Sequence, residues 1–227
     1  MTANMGVSIH TATEDDLDAL VGLQFRAFGE FDELVAGRNT PENRAIMVKR
    51  HIQHMHANPG LVIAKAQLPD GTIAGFCMFY FPNAAASSDL ERTPTPLRPL
   101  RDNSALSKIT VEAPWIDDSE RRRKAEVFLR FINQERQEHI AGKGVATFVR
   151  YMCVDPKYQR QGFGKALMSW GCERFDEVKS DAYLEASSEG QGLYEKFGFK
   201  VIEPHSYGEF EDGIKLNWSH MWRDAKK

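Results

Sequence analysis

Only three cysteines occur in 227 residues, Cys77, Cys153 and Cys172, and no two of them are clustered. That spacing supports neither a disulfide framework nor a zinc site, so the thiols read as reduced and mostly buried in an intracellular protein. No stretch approaches the ~20 apolar residues of a membrane span. Residues Met1–Val7 show no basic region followed by an apolar core. The expectation is a soluble cytoplasmic protein, with the nucleus also open and no membrane partner. A surplus of positive charge is missing as well: 29 Lys and Arg face 32 Asp and Glu, for a net charge of −3. This removes the electrostatic footprint of a general nucleic-acid binder. No internal repeat or low-complexity tract is present. His51, His54 and His56 have a metal-like spacing, but no carboxylate or cysteine set accompanies them, so no metal site is expected.

Two familiar phosphate loops are also missing. A dinucleotide fingerprint would need Gly at position 167, where Leu167 stands, and a Walker loop is broken at Gln159 and Ala166.

What is present is a chain with 42% hydrophobic and 27% charged residues, enough for one well-buried domain over residues 1–227. Its most informative stretch runs from Arg150 to Lys165. Val145–Val154 is rich in β-branched and aromatic residues, as a buried strand should be. Asp155-Pro156 then turns the chain into a loop, Gln159-x-x-Gly162-x-Gly164. An amphipathic helix follows with Phe163, Ala166, Leu167, Trp170 and Val178 on one stripe. Glycines let the backbone approach a ligand and aim several N–H groups one way, and a helix start adds a positive dipole end. The combination reads as a diphosphate socket on the amides of Arg160 to Lys165 (Arg160, Gln161, Gly162, Phe163, Gly164, Lys165), with Gln159 stiffening the loop.

The remaining elements fall into an alternating order. Val7–Thr11 reads as a first strand, and Thr13-Glu-Asp-Asp16 as a capped helix start. Thr40-Pro41 opens a second helix running to about Ala57. Leu61–Gln67 and Thr72–Phe81 are strands joined through Asp70-Gly71. From Pro82 to Trp115 five prolines lie among Ser, Asn and Arg without any period, which reads as a long loop, and a helix follows from about Asp117 to Ile140. Ala182–Ala186 reads as a strand, and Gly192–Phe199 as a helix end with Gly198 in the C-cap position. Phe199–Glu203 and Ile214–Trp218 complete the strands. The acidic runs Glu30–Glu33 and Glu209–Asp212 read as solvated loops, with a cationic amine as the alternative.

Two segments, V-D-P-x-Y-Q-R-Q-G-F-G-K-A-L and L-E-A-S…L-Y-E-K-F-G-F, resemble the acetyl-CoA-binding core of the GNAT acyltransferase superfamily over roughly 145–201. The second is similar in wording to uncharacterised GNAT proteins common in fungi. The resemblance implies an α/β fold: a single GNAT-like domain whose central mixed twisted sheet of about seven strands is flanked by helices. The 82–142 segment is a departure from it, a helical insertion between strands 3 and 4 expected to lie over the acceptor side of the cleft.

The resemblance further implies acetyl-CoA as co-substrate and transfer of the acetyl group to a primary amine of a small molecule or peptide by direct attack, in a monomer or homodimer. It places the pantetheine arm and thioester along Met152, Cys153 and Val154. It gives Tyr194 as the acid that protonates the departing thiolate and Glu185 as the base. Ser187 takes the place of a cofactor-binding asparagine. Two other readings stay open: a coenzyme A-binding module without catalysis, and transfer to a hydroxyl or of a longer acyl chain.

Overall fold

The computed structural model describes residues 6–81, 112–140, 147–207 and 216–226. Thr13 begins the first helical segment as expected. Its N–H donates to Asp16 Oδ2 at 2.8 Å, which closes a capping box over a short 3-10 turn. Strand β1 (Ser8–Thr11) precedes it, and α1 (Leu17–Phe28) follows. Gly29 at φ +53° ends α1, and a helix absent from the sequence reading begins at once: α2, Glu30–Ala36. The acidic run Glu30–Glu33 is thus the first turn of a helix and not a loop. Helix α3 (Pro41–Ala57) starts where the Thr40-Pro41 pair requires, with the Thr40 hydroxyl accepting the Asn43 N–H.

Strands β2 (Leu61–Gln67) and β3 (Ile73–Tyr80) form the expected hairpin, and Gly71 supplies its positive φ of 88°. Helix α4 (Ser119–Ile140) lies in the chain between β3 and β4 (Thr147–Val154), so the helical insertion follows the third strand as expected. The long loop read over 82–115 falls, for residues 82–111, outside the described residues. Helix α5 (Phe163–Glu177), β5 (Ala182–Ser187), α6 (Ser188–Glu195), β6 (Lys200–Tyr207) and β7 (Leu216–Arg223) complete the order. The last strand extends well beyond Trp218, because its alternation continues through His220 and Trp222, all three on one face.

The seven strands form one mixed sheet in the order β1-β2-β3-β4-β5-β7-β6. Every neighbouring pair is antiparallel except β4 and β5. One face packs on α5 through Phe79, Val149, Leu167, Phe175 and Leu184. Gly171 on α5 allows this closeness, since a Cβ there would sit 2.5 Å from the Phe79 ring. The opposite face packs on α1 and α3 through Leu17, Leu20, Ile63, Phe76 and Cys153. Helix α4 lies on that second face too. Phe128 meets both Phe31 of α2 and Trp218 of β7 edge-on, at 5.9 and 5.8 Å between ring centroids.

Candidate functional site

Strands β4 and β5 pair over only three residues, Thr147–Val149 against Ala182–Leu184, and then separate. The cause lies on the other edge of β4. Met78 pairs with Tyr151 while Phe79 pairs with Val149, so Arg150 is an extra residue in β4, a β-bulge that bends the strand where the β5 ladder stops. Beyond the fork the two edges of β4 divide their work. Asp155 N–H donates to Ala74 O at 2.9 Å. By the alternation of an antiparallel ladder, Cys153 is therefore bonded to Phe76, while Met152 and Val154 turn their main-chain groups away from β3 and into the fork. Their N–H groups have no partner among the described residues. Of the three β4 residues expected to hold the thioester arm, two present amides and Cys153 does not.

The loop that follows is tied down at both ends. Asp155, 5% exposed, accepts Arg26 Nε and Nη2 from α1, each at 2.8 Å, and the Lys157 N–H at 3.0 Å. Burial alone would raise the Asp155 carboxyl, but the Lys157 amide and the Arg26 guanidinium outweigh it and hold it below the usual carboxylate range. Gln159 Nε2 donates to Val154 O at 3.2 Å, and Gln161 Nε2 to Lys157 O at 2.9 Å, so both glutamines brace the loop. Arg160 at φ +61° and Gly162 at φ +96° turn the backbone through left-handed conformations, the geometry that lets successive N–H groups converge. Phe163 buries its ring in the α5-side core, so only its amide is available to a ligand.

No side chain caps α5. The first bond into its start is Ala166 N–H to Gly162 O, which leaves the Phe163, Gly164 and Lys165 amides directed out of the helix end. A Cβ on Gly164 would stand 3.3 Å from Leu193 and 3.7 Å from Val154, against the same end of β4. Lys165 and Arg160 are exposed beside this array. The result is a concave set of main-chain donors at a positive dipole end, contiguous with the fork.

Tyr194 on α6 is buried in the α5-side core, edge-on to Phe199 at 6.1 Å. Burial foremost, then the neighbouring Cys77 and Cys153, push its phenol well above the ordinary value. It therefore keeps its proton throughout the physiological range and can only give one. Ser187 is occupied otherwise. Its hydroxyl accepts the Gly190 N–H at 3.2 Å and so caps α6.

Glu185 is the first β5 residue past the fork, but it is not free. Arg136 of α4 grips both its oxygens, Nε to Oε1 at 2.7 Å and Nη2 to Oε2 at 3.0 Å, and also covers the Phe148 ring at 4.3 Å. Both carboxylate oxygens are thus committed to one guanidinium in a two-point fork. The sequence reading missed Arg136 because nothing local marks one arginine in a basic helix face as an inward one.

A second acid, also missed, lies on the α1 face. Asp32 of α2 is completely buried, and among the described residues its carboxylate accepts only the Gln24 amide, at 2.9 and 3.2 Å. Burial pushes it up to about 6, with Gln24 pulling it back only in part. It stands close to β4: burial first, then the Asp32 charge, push the Cys153 thiol well up. Tyr194 and Asp32 thus approach Cys153 from opposite faces of the sheet. The signal for Asp32 was present in its spacing, since Asp32, Val35 and Ala36 fall at i, i+3 and i+4 and all are buried.

Of the three histidines on α3, His56 is exposed and bonds Glu14, while the other two face inward. His51 bonds Gln24 Oε1 at 3.3 Å, and His54 Nδ1 bonds the Tyr80 hydroxyl at 2.9 Å. Burial and the Arg150 charge lower them to about 3 and about 4, so both rings are neutral. Among the described residues the set that could hold a metal is elsewhere: Glu135, His139 and His220 bring ligand atoms within 4.8 Å of one another. His220 is already engaged, with Nδ1 on the Tyr183 hydroxyl at 2.5 Å and Nε2 accepting Trp218 Nε1–H at 3.2 Å. Coordination would first have to displace the Trp218 bond.

Residues 124–201 match the family model of the acetyltransferase (GNAT) domain. That segment runs from within α4 to the start of β6 and includes the fork, the loop and Tyr194. No curated protein matches the chain. Among solved structures it is similar to arylalkylamine N-acetyltransferase 2 from Aedes aegypti, at 13% identity and TM-score 0.64 over 97% of this chain and 100% of that one. It is also similar to a histone acetyltransferase HPA2 and related acetyltransferase from Corynebacterium glutamicum, at 16% and 0.60 over 98% of each chain. A third likeness is to the ribosomal-protein-S18-alanine N-acetyltransferase from Escherichia coli, at 15% and 0.53 over 97% and 95%. At these identities the likeness is one of fold. The chain therefore has the GNAT fold, and from α4 to the start of β6 it matches the acetyltransferase (GNAT) domain itself.

Proposed function

We propose that the protein is an acetyl-CoA-dependent N-acetyltransferase acting on a primary amine of a small molecule or peptide. The observation that carries this reading is the fork between β4 and β5. Its free Met152 and Val154 amides run directly into the uncapped start of α5. A pantetheine arm can pair along β4 with its diphosphate on the Arg160–Lys165 amides, and a fixed β4 donor can hold the thioester oxygen as charge develops there. The matched segment and the amine acceptors named in the similar structures point the same way.

The reaction then balances within the site. The amine nitrogen attacks the thioester carbon, the carbon–sulfur bond breaks, and the Tyr194 phenol protonates the departing thiolate. Asp32, an acid near 6 but fully buried, takes up the proton that the amine loses through an intervening group and not by direct contact. Acid and base lie on opposite faces of the sheet, which suits a cofactor entering from the α5 side and an acceptor from the α1 side. A binding module without catalysis would need neither group.

Calorimetry with acetyl-CoA and with free CoA tests the cofactor half, and thiol release across an amine panel tests the chemistry. Binding with turnover that falls in Tyr194→Phe is the expected result. No heat with millimolar acetyl-CoA or CoA on folded protein ends the proposal.

A further inference from the structure

We infer that the acceptor is an amine that also carries a carboxylate, an amino acid in the broad sense, and that Arg150 receives the carboxylate. This rests on the acetyltransferase reading and names the substrate class of the same site.

Arg150 is the bulged residue and the first of β4 beyond the last β4–β5 pair, so it stands at the mouth of the fork. Its side chain is turned to the α1 and α3 face, away from the loop that would take the diphosphate. Every partner it has there is neutral. Nη1 lies 3.2 Å from the Tyr80 hydroxyl and 3.4 and 3.5 Å from the two His54 nitrogens, and the guanidinium carbon is 5.2 Å from the Tyr151 ring centre. Among the described residues no acid bonds Arg150: Glu185 is held by Arg136 and Asp32 by Gln24.

Arg150 is half-buried, and a guanidinium so placed, with its charge and five donors, takes an anion in preference to weak neutral acceptors. Here the fold brings Arg150 to the mouth of the fork, and no described residue supplies one. Neutral His54 and His51 leave the Arg150 charge uncancelled, and half-buried Arg50, stacked on Trp115 at 3.3 Å, adds to it.

The cofactor does not answer this need. Its charged diphosphate belongs at the α5 start on the far side of the sheet, and its pantetheine arm is neutral. The acceptor does. Asp32 lies on the same face as Arg150 and has no cationic partner among the described residues. A zwitterion supplies the counter-charge that Arg150 lacks, with its carboxylate on the guanidinium and its ammonium on the face where the buried Asp32 adds negative charge. An unadorned amine would leave Arg150 without a counter-charge.

The test compares matched pairs that differ only in the carboxylate: phenylalanine with phenethylamine, lysine with cadaverine, arginine with agmatine. Turnover is measured by thiol release and binding by calorimetry in the presence of CoA. In the wild-type protein at least one amino acid should exceed its decarboxylated partner about 10-fold or more in kcat/KM. In Arg150→Gln that ratio should fall towards one, with the acetyl-CoA Kd unchanged and Arg150→Lys intermediate.

Equal or better use of the decarboxylated partner throughout the panel overturns the inference, and the wild-type comparison does not depend on either variant folding. Acetyl-CoA binding without turnover or binding of any amino acid overturns it as well. In both cases the cofactor reading stands. Loss of acetyl-CoA binding itself is a separate result that removes both.

Discussion

Replacing Asp32 by asparagine should make the protein more stable at high pH while removing the base from its reaction. Burial moves this carboxyl from 3.8 to about 6. At about 1.36 kcal/mol per pH unit, keeping it ionised costs the folded state about 3 kcal/mol. The sign follows from which state binds the proton. Below about pH 3.8 the group is protonated in both states and costs nothing. Between 3.8 and about 6 only the unfolded chain is ionised, so stability falls as pH rises. Above about 6 the full cost is present.

Asparagine has the same shape and no charge, but its amide faces the Gln24 donor and forfeits one of the two bonds, about 1 kcal/mol. The net gain is about 2 kcal/mol at pH 8, or a Tm higher by roughly 4–8 °C in a domain of this size. Between pH 5 and pH 8 the gain should grow by about 1 kcal/mol. Urea unfolding of both proteins at the two pH values measures it. The same variant should lose roughly 10²–10⁴-fold in rate, together with the wild-type rise of kcat/KM through an ionisation near 6. A stability difference that stays flat from pH 5 to 8 would refute the desolvation argument. Retained rate would refute the role as base.

Tyr194→Phe should lower kcat by about 10–100-fold and leave the acetyl-CoA Kd within a factor of about two, read by single-turnover thiol release and calorimetry. Gly162→Ala places a side chain at φ +96° in open space, so its cost of about 1 kcal/mol is backbone strain. It should weaken acetyl-CoA binding more than Arg160→Ala does, because the amides and not the exposed guanidinium make the socket. Gly171→Ala drives a methyl into the buried Phe79 ring and should cost about 1–3 kcal/mol, seen as a Tm lower by several degrees. Arg136→Met leaves the Glu185 carboxylate, 9% exposed, without its partner and should destabilise by roughly 2–3 kcal/mol, while adding Glu185→Gln recovers most of the loss. A double-mutant cycle with coupling near zero would contradict the two-point geometry.

Much of the fold was legible because its signals are local. The Thr13 capping box, the Thr40-Pro41 start, the Asp70-Gly71 hairpin and the Gly162 loop each lie within a few residues and follow from backbone conformational preference. Asp32 was half legible, since its spacing to Val35 and Ala36 marked an inward face, but acids in a short run read equally well as solvated. Glu185 could be placed on β5, while its grip by Arg136 could not, since 49 residues separate them.

The sequence by itself determined the order of elements apart from α2, the turn into the glycine loop and the helix start that makes a donor array, because φ preference, periodicity and capping act over one or two turns. Tertiary structure alone decided where β4 leaves β5, which β4 amides face the fork, and which charges lie there unneutralised. Those depend on a one-residue bulge set by the register with β3 and on helices α2 and α4 packed onto one sheet face. Such register and packing are settled by contacts between distant segments that no local pattern encodes.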